Sequence, residues 1–146
     1  MSLPVNKNSD DYRFYKTLNM DVQLKPSSET SQHYDVQMEN GDFVNVSGKK
    51  SLYNAIVIAI MTRFNELQDI PLYNGFGCRA HELIKARKTE MVKYEIELFI
   101  TEVLENMRRI KEINSVELIE SENHNYKINY SVQSINDETV NGSVEL

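Results

Sequence analysis

The clearest signal along the chain is a change in the spacing of its apolar residues. Leu18-Asn19-Met20-Asp21-Val22-Gln23-Leu24 alternates apolar and polar side chains, the period of a half-buried strand. Tyr34-Asp35-Val36-Gln37-Met38 and Phe43-Val44-Asn45-Val46 alternate too, and Glu39-Asn40-Gly41-Asp42 joins them. Asn-Gly between alternating runs predicts a hairpin, because both central residues tolerate positive φ. From Ser51 the period lengthens. Leu52, Ala55, Ile56, Ala59, Ile60, Arg63, Phe64 and Leu67 recur at helical spacing, with Ser51 the expected N-cap and a break at Asp69-Ile70-Pro71. Val57 and Ile58 widen the apolar face, so this helix is expected to be buried on most sides.

A loop from Gln68 to Gly77 follows, carrying Pro71, Tyr73, Gly75, Phe76 and Gly77. Proline stops a helix, and glycine permits tight turns beside large rings. Arg79 to Arg87 reads as a short helix with Leu83 and Ile84 inward. Thr89 then caps a second long helix running to about Ile110, with Tyr94, Leu98, Val103 (or Thr101), Leu104, Met107 and Ile110 as its main apolar face. Ser115 to Glu120, Tyr126 to Gln133 and Glu138 to Leu146 are strand-like, and their short polar links favour an antiparallel meander. The predicted fold is α+β: an N-terminal β-hairpin, two long helices with a short helix between, and a C-terminal antiparallel β-meander packed on the helices. Residues 1–34, including the loop-like Lys25 to Ser31, read as a partly extended arm before a domain at 35–146. The arm's aromatics, Tyr12, Phe14 and Tyr15, would suit a contact with a neighbouring subunit.

Composition narrows the class. At 146 residues, 40% apolar and 26% charged, the chain has the makeup of one globular domain with its own core. The longest apolar run, Ala55 to Met61, is far too short to span a bilayer, and the first residues lack the apolar stretch of a secretion signal, so a cytoplasmic site of synthesis is expected. The single cysteine, Cys78, fits that compartment. The net charge of −6 is uneven: residues 48–111 hold 11 basic and 8 acidic side chains, while residues 112–146 hold 1 and 7. A strongly acidic C-terminal part argues against a nucleic-acid partner there.

The chain shows little chemistry. His33, His81 and His124 lie far apart without a second ligand at metal-motif spacing, and read as surface histidines. Cys78 precedes a helix start, which can stabilise a thiolate, but no base accompanies it, so a small core or loop residue is the default. Gly75 and Gly77 form only Gly-Phe-Gly, which lacks the spacing of a phosphate-binding loop. Glu66 and Glu82 flank the central loop as a glycosidase pair would, although helix-end or ion-pair roles suit them better. No catalytic residue, cofactor or metal is therefore expected.

Over about residues 35–145, centred on Ser51 to Glu82, the chain resembles phage baseplate wedge, or sheath-initiator, proteins, sometimes labelled lysozyme-like, and is similar to baseplate subunits of type VI secretion and related contractile injection systems. The residues that carry the resemblance are Ala55-Ile56, Met61-Thr62-Arg63-Phe64-Asn65-Glu66, Pro71-Leu72-Tyr73-Asn74-Gly75-Phe76-Gly77-Cys78 and His81-Glu82-Leu83-Ile84, followed by a long helix and a meander. Asn65 stands where the family pattern has glycine. Ile84-Lys85-Ala86-Arg87 lacks the Glu-Pro that precedes an arginine in many members, which leaves Arg87 alone to match it.

The resemblance implies a non-enzymatic virion or injection-machine baseplate component, assembled in the host cytoplasm, monomeric alone and present in several copies in a six-fold assembly. Its partners would be baseplate wedge proteins and the tail sheath protein, with no nucleic acid and no membrane. Arg63, Glu66, Tyr73, Phe76, Arg79 and Arg87 would meet wedge subunits. Tyr126, Ile128, Tyr130, Val132, Val140 and Val144 would form the sheet that accepts sheath strands and templates the first sheath ring. The alternatives are a small peptidoglycan-cleaving glycosidase using Glu66 or Glu82, and a tail-to-baseplate connector of a non-contractile phage.

Overall fold

A computed structural model describes residues 18–26, 34–122 and 124–146. Tyr12, Phe14, Tyr15, His33 and the end of the Lys25 to Ser31 segment lie outside them. The first strands are short: β1 (Met20–Val22), β2 (Leu24–Pro26), β3 (Tyr34–Val36), β4 (Met38–Glu39), β5 (Asp42–Phe43) and β6 (Asn45–Ser47). They form three antiparallel pairs, β1 with β6, β2 with β3 and β4 with β5. The predicted hairpin is the β4–β5 pair, with Asn40 and Gly41 at φ 52° and 78°. Between the pairs sit Gln23, Gln37 and Val44. The Gln23 N–H donates to the Val44 carbonyl, Val44 to Gln37, and Gln37 to Gln23, at 2.7, 3.1 and 2.8 Å. Three two-stranded arms thus meet at a closed ring of backbone hydrogen bonds.

Helix α1 (Lys49–Met61) begins two residues before the expected cap. Gly48 occupies the N-cap without a side-chain bond, and Ser51 is fully buried, its hydroxyl donating to the Leu18 carbonyl. Asn54 donates to the Val22 carbonyl at 2.7 Å, so two polar side chains of α1 tie residues 18–22 to the domain. Leu18 itself is in the core. The helix stops at Met61, well short of Asp69. The Thr62 hydroxyl turns back to the Ile58 carbonyl, and the Thr62 carbonyl is taken by the Cys78 N–H. Phe64 and Leu67 therefore lie beyond the helix whose spacing they continued.

A single 3-10 turn, Arg79–Glu82, replaces the short helix predicted to reach Arg87. Helix α2 (Glu90–Glu105) is capped by the Thr89 hydroxyl, which accepts from the Val92 N–H, as expected. It ends at Glu105 rather than Ile110, because Ile110 already opens a strand. Its buried line is Ile96, Ile100 and Leu104. Tyr94 and Leu98, placed inward by the sequence, are instead 59% and 49% exposed.

The C-terminal sheet has strand order β7 (Ile110–Glu120), β8 (Tyr126–Ser134), β9 (Thr139–Glu145), all antiparallel. Alternate residues of β8, from Tyr126 to Ser134, point into the core; the opposite face carries Lys127, Asn129, Ser131 and Gln133. Such one-sided burial is the usual state of an antiparallel sheet covered on one face. Helix α2 lies against β7 and α1 against β9. The α+β prediction therefore holds in order and in packing. Among the described residues no helix is long and apolar enough to cross a membrane.

Tyr34, Tyr53 and Tyr130 meet where β3, α1 and β8 pack. Burial, then the neighbouring Tyr53, pushes the Tyr34 phenol up to about 12 and raises Tyr130 further. The unfolded chain ionises these phenols near the ordinary value of about 10. Their contribution is thus intact below pH 10 and lost as pH rises toward 12. Alkaline titration should show late phenolate absorbance coinciding with loss of circular dichroism. Full ionisation near pH 10 with the fold intact would contradict this packing.

Candidate functional site

Two surfaces concentrate the residues singled out from sequence. The first is the loop 64–77, whose ends are clasped by a parallel bridge between Arg63 and Cys78. The Cys78 N–H donates to Thr62 at 2.8 Å, the Phe64 N–H to Cys78 at 3.2 Å and the Asn65 N–H to Phe76 at 3.0 Å. Asn65, with φ 58°, sends its side-chain carbonyl to the Gly75 N–H. Asparagine tolerates this left-handed conformation, which makes it a workable substitute for glycine at the position. The Glu66 carboxylate accepts from the Arg63 N–H at 3.1 Å, a local cap of the turn that follows α1.

The rings of Tyr73 and Phe76 meet edge-to-face, 5.5 Å between centroids. The Arg79 guanidinium lies 5.8 Å from the Phe64 ring centre and 5.0 Å from that of Phe99 on α2. Between the loop and the end of α2 is a cleft of about 360 Å³, with Phe64, Phe76, Arg79 and Phe99 among its walls. At the tip Leu72 is completely exposed, and Ile70 and Tyr73 are exposed too. A protruding apolar tip on a closed loop suits docking to another protein. Arg63, Glu66, Tyr73, Phe76 and Arg79 are thus brought together by one loop. Arg87 is exposed on the segment after the 3-10 turn, and its carbonyl accepts from the Thr89 N–H before α2.

The residues beneath this loop are structural. Cys78 is fully buried, its sulfur accepts from the Ala80 N–H, and burial pushes its thiol up to about 11. It is a thiol, not an activated thiolate. His81, read as a surface histidine, is half-buried with Nε2 2.7 Å from the Ile60 carbonyl, which ties the 3-10 turn to the end of α1.

The second surface is the sheet, whose expected binding residues have side chains turned into the core. Tyr126, Ile128, Tyr130 and Val132 belong to the central strand, paired on both sides, with side chains in the core. Neither their backbone nor their side chains are open to a partner. Val140 and Val144 are on an edge strand but are also buried. The phase of the ladder shows which groups face out. Tyr126 and Leu146 exchange both backbone hydrogen bonds, at 3.1 and 2.8 Å. In an antiparallel ladder such pairs recur every second residue. Val144, Gly142 and Val140 therefore direct their N–H and C=O groups to β8, and Thr139, Asn141, Ser143 and Glu145 direct theirs away from it.

The two sheet edges differ. On β7 the register is broken twice, between Ile110 and Glu112 and between Ile113 and Ser115. Its outward Leu118 N–H is taken by the Glu97 carboxylate of α2 at 3.2 Å. Bulges and side-chain covers are how proteins close a sheet edge. Strand β9 runs in unbroken register over all seven residues. Its outward backbone groups have no hydrogen-bond partner among the described residues. The Glu145 carboxylate, which might have guarded the edge, is held by Ser121 and Asn125 at 3.4 Å each. An open groove of about 410 Å³ adjoins the start of β9, bounded by Leu24, Lys49, Lys50 and Tyr53. The relevant residues, Thr139, Asn141, Ser143 and Glu145, were missed because alternation reveals which face a side chain takes. It does not reveal which way the backbone points. The sequence matches no protein-family model, and no curated protein matches it.

Proposed function

We propose that the protein acts by assembly, as a structural subunit that receives an extended segment from a neighbour along the β9 edge. Within that reading it is a baseplate component of a contractile tail or tail-like injection machine. The donated segment would come from the sheath protein, and loop 64–77 would dock a wedge neighbour. The observation that carries the proposal is the asymmetry of the edges: β7 is bulged and covered, β9 is regular and open. Strand addition supplies affinity through main-chain hydrogen bonds, and the flanking groove supplies selectivity. The resemblance over about residues 35–145, not the edge itself, supports the baseplate setting.

Asn141→Pro tests the strand-addition step. The Asn141 N–H points away from β8, so proline there leaves the ladder intact while removing an outward donor and placing a ring in the path of an added strand. The variant is expected to keep its thermal midpoint and to enter particles through loop 64–77, yet fail to start sheath in an assembly reaction. Normal sheath growth on the variant would refute strand addition. Absence of the wild-type protein from purified particles would refute the baseplate setting.

A further inference from the structure

The mild positive charge of residues 48–111 conceals an acidic helix. Helix α2 has five glutamates and one lysine. On the side away from Ile96 and Ile100 it shows Met91, Tyr94 and Leu98, which are 69%, 59% and 49% exposed, with half-buried Thr101 continuing the row. Their spacing of three, four and three residues places them within about 80° of helix circumference. That is the seam of a coiled coil, with Met91 and Leu98 at one core position and Tyr94 and Thr101 at the other. The four positions flanking this seam are Glu90 and Glu97 on one side and Glu95 and Glu102 on the other. Every flank is glutamate.

We infer that α2 is a docking face for an amphipathic α-helix of another protein, one with apolar residues at three-four spacing flanked by lysine or arginine. Charge at the flanks selects this occupant. A second copy of the chain, parallel or antiparallel, would set glutamate against glutamate along the seam, and like charges at those positions exclude pairing. An anionic lipid surface is repelled by the same flanks. A basic partner helix meets glutamate at each flank while covering Met91, Tyr94 and Leu98. Glu97 also holds the Leu118 N–H and Glu90 lies 3.4 Å from Lys93, so Glu95 and Glu102 are the flanks least engaged within the described residues. This face is distinct from the β9 edge and from the tip of loop 64–77, sharing only Glu102 with the cleft beside that loop, and its test is independent of the baseplate reading.

The probe is a labelled synthetic helix of about three heptads, with leucine at the seam and lysine at every flank. Two controls accompany it: the same peptide with glutamate flanks, and a scrambled peptide of identical composition. Binding to the whole protein is followed by fluorescence anisotropy at low and high salt. The lysine-flanked helix should bind about tenfold or more tightly than either control and weaken as salt rises. Leu98→Glu should remove that preference, and Glu95→Lys with Glu102→Lys, which leaves two flanks acidic and makes two basic, should cancel it. Leu98 and Glu102 are exposed and Glu95 is half-buried, and unchanged circular dichroism and thermal midpoint confirm that both variants fold. Equal binding of the scrambled peptide, persistence of the preference in Leu98→Glu or in the double lysine variant, or no binding at low salt would each overturn the assignment.

Discussion

Gly77→Ala should release the loop 64–77 and cost about 2–5 kcal/mol of stability, the combined range for an unfavourable positive φ and for overpacking. Gly77 has φ 108°, and a Cβ there would lie 2.4 Å from the Arg63 carbonyl oxygen, 2.7 Å from its carbon and 2.9 Å from the Thr62 oxygen. All three atoms are backbone, so no rotamer change relieves the clash. The Thr62 oxygen is also the acceptor that ends α1. Relaxation must therefore lengthen the Cys78-to-Thr62 hydrogen bond or pull Phe64 away from Cys78. Urea denaturation gives the cost, and amide exchange at Phe64 and Cys78 reports whether the clasp opens. Gly75→Ala is the control: its Cβ meets nothing within 4 Å, so only the strain of its own φ of 78° remains. Equal stability of the two variants would mean that the loop is not held at the Arg63–Cys78 bridge.

Ile100→Ala should cost about 2–5 kcal/mol, the usual range for truncating a fully buried aliphatic side chain. Ile100 is 0% exposed, between Ile96 and Leu104 on the side of α2 that joins the core. Two residues earlier, Leu98→Ala should change stability by no more than about 0.5 kcal/mol, because half of that side chain is already in water. Chemical denaturation of both variants decides which face of α2 is buried. Comparable losses would show that Leu98 is covered in the folded chain, and the docking face proposed on α2 would fall with that result.

Much of this architecture was legible in the sequence, and its failures share a cause. The Asn40-Gly41 turn and the Thr89 cap were read correctly because each is set by a few neighbouring residues. The alternation of Tyr126 to Ser134 reported burial directly, since a central strand covered on one face has no other way to satisfy its side chains. The end of α1 was misplaced because Phe64 and Leu67 keep helical spacing, and the contact that stops the helix comes from Cys78, sixteen positions after Thr62. The face of α2 was misread because Tyr94 and Leu98 form an apolar row of their own beside the row that is buried. Two apolar rows on one helix give the spacing no means of choosing. The strand residues expected to bind follow from the resemblance and from strand-like patterning, and their alternating apolar side chains are what a core takes in. The backbone groups that remain open belong to polar residues.

The ring joining Gln23, Gln37 and Val44 has a consequence for how the first part of the chain comes apart. A ladder can unzip from an end, since its last hydrogen bond is supported from one side only. A ring has no last bond: each of these three residues both gives and receives, so breaking any one link leaves the two residues it joined half-satisfied. Separation of β1 from β6 is therefore coupled to the β2–β3 and β4–β5 arms, although each arm is only two or three residues long. Segments too short to persist alone are made to stand or fall together, and Ser51 and Asn54 fasten that shared fate to the first helix.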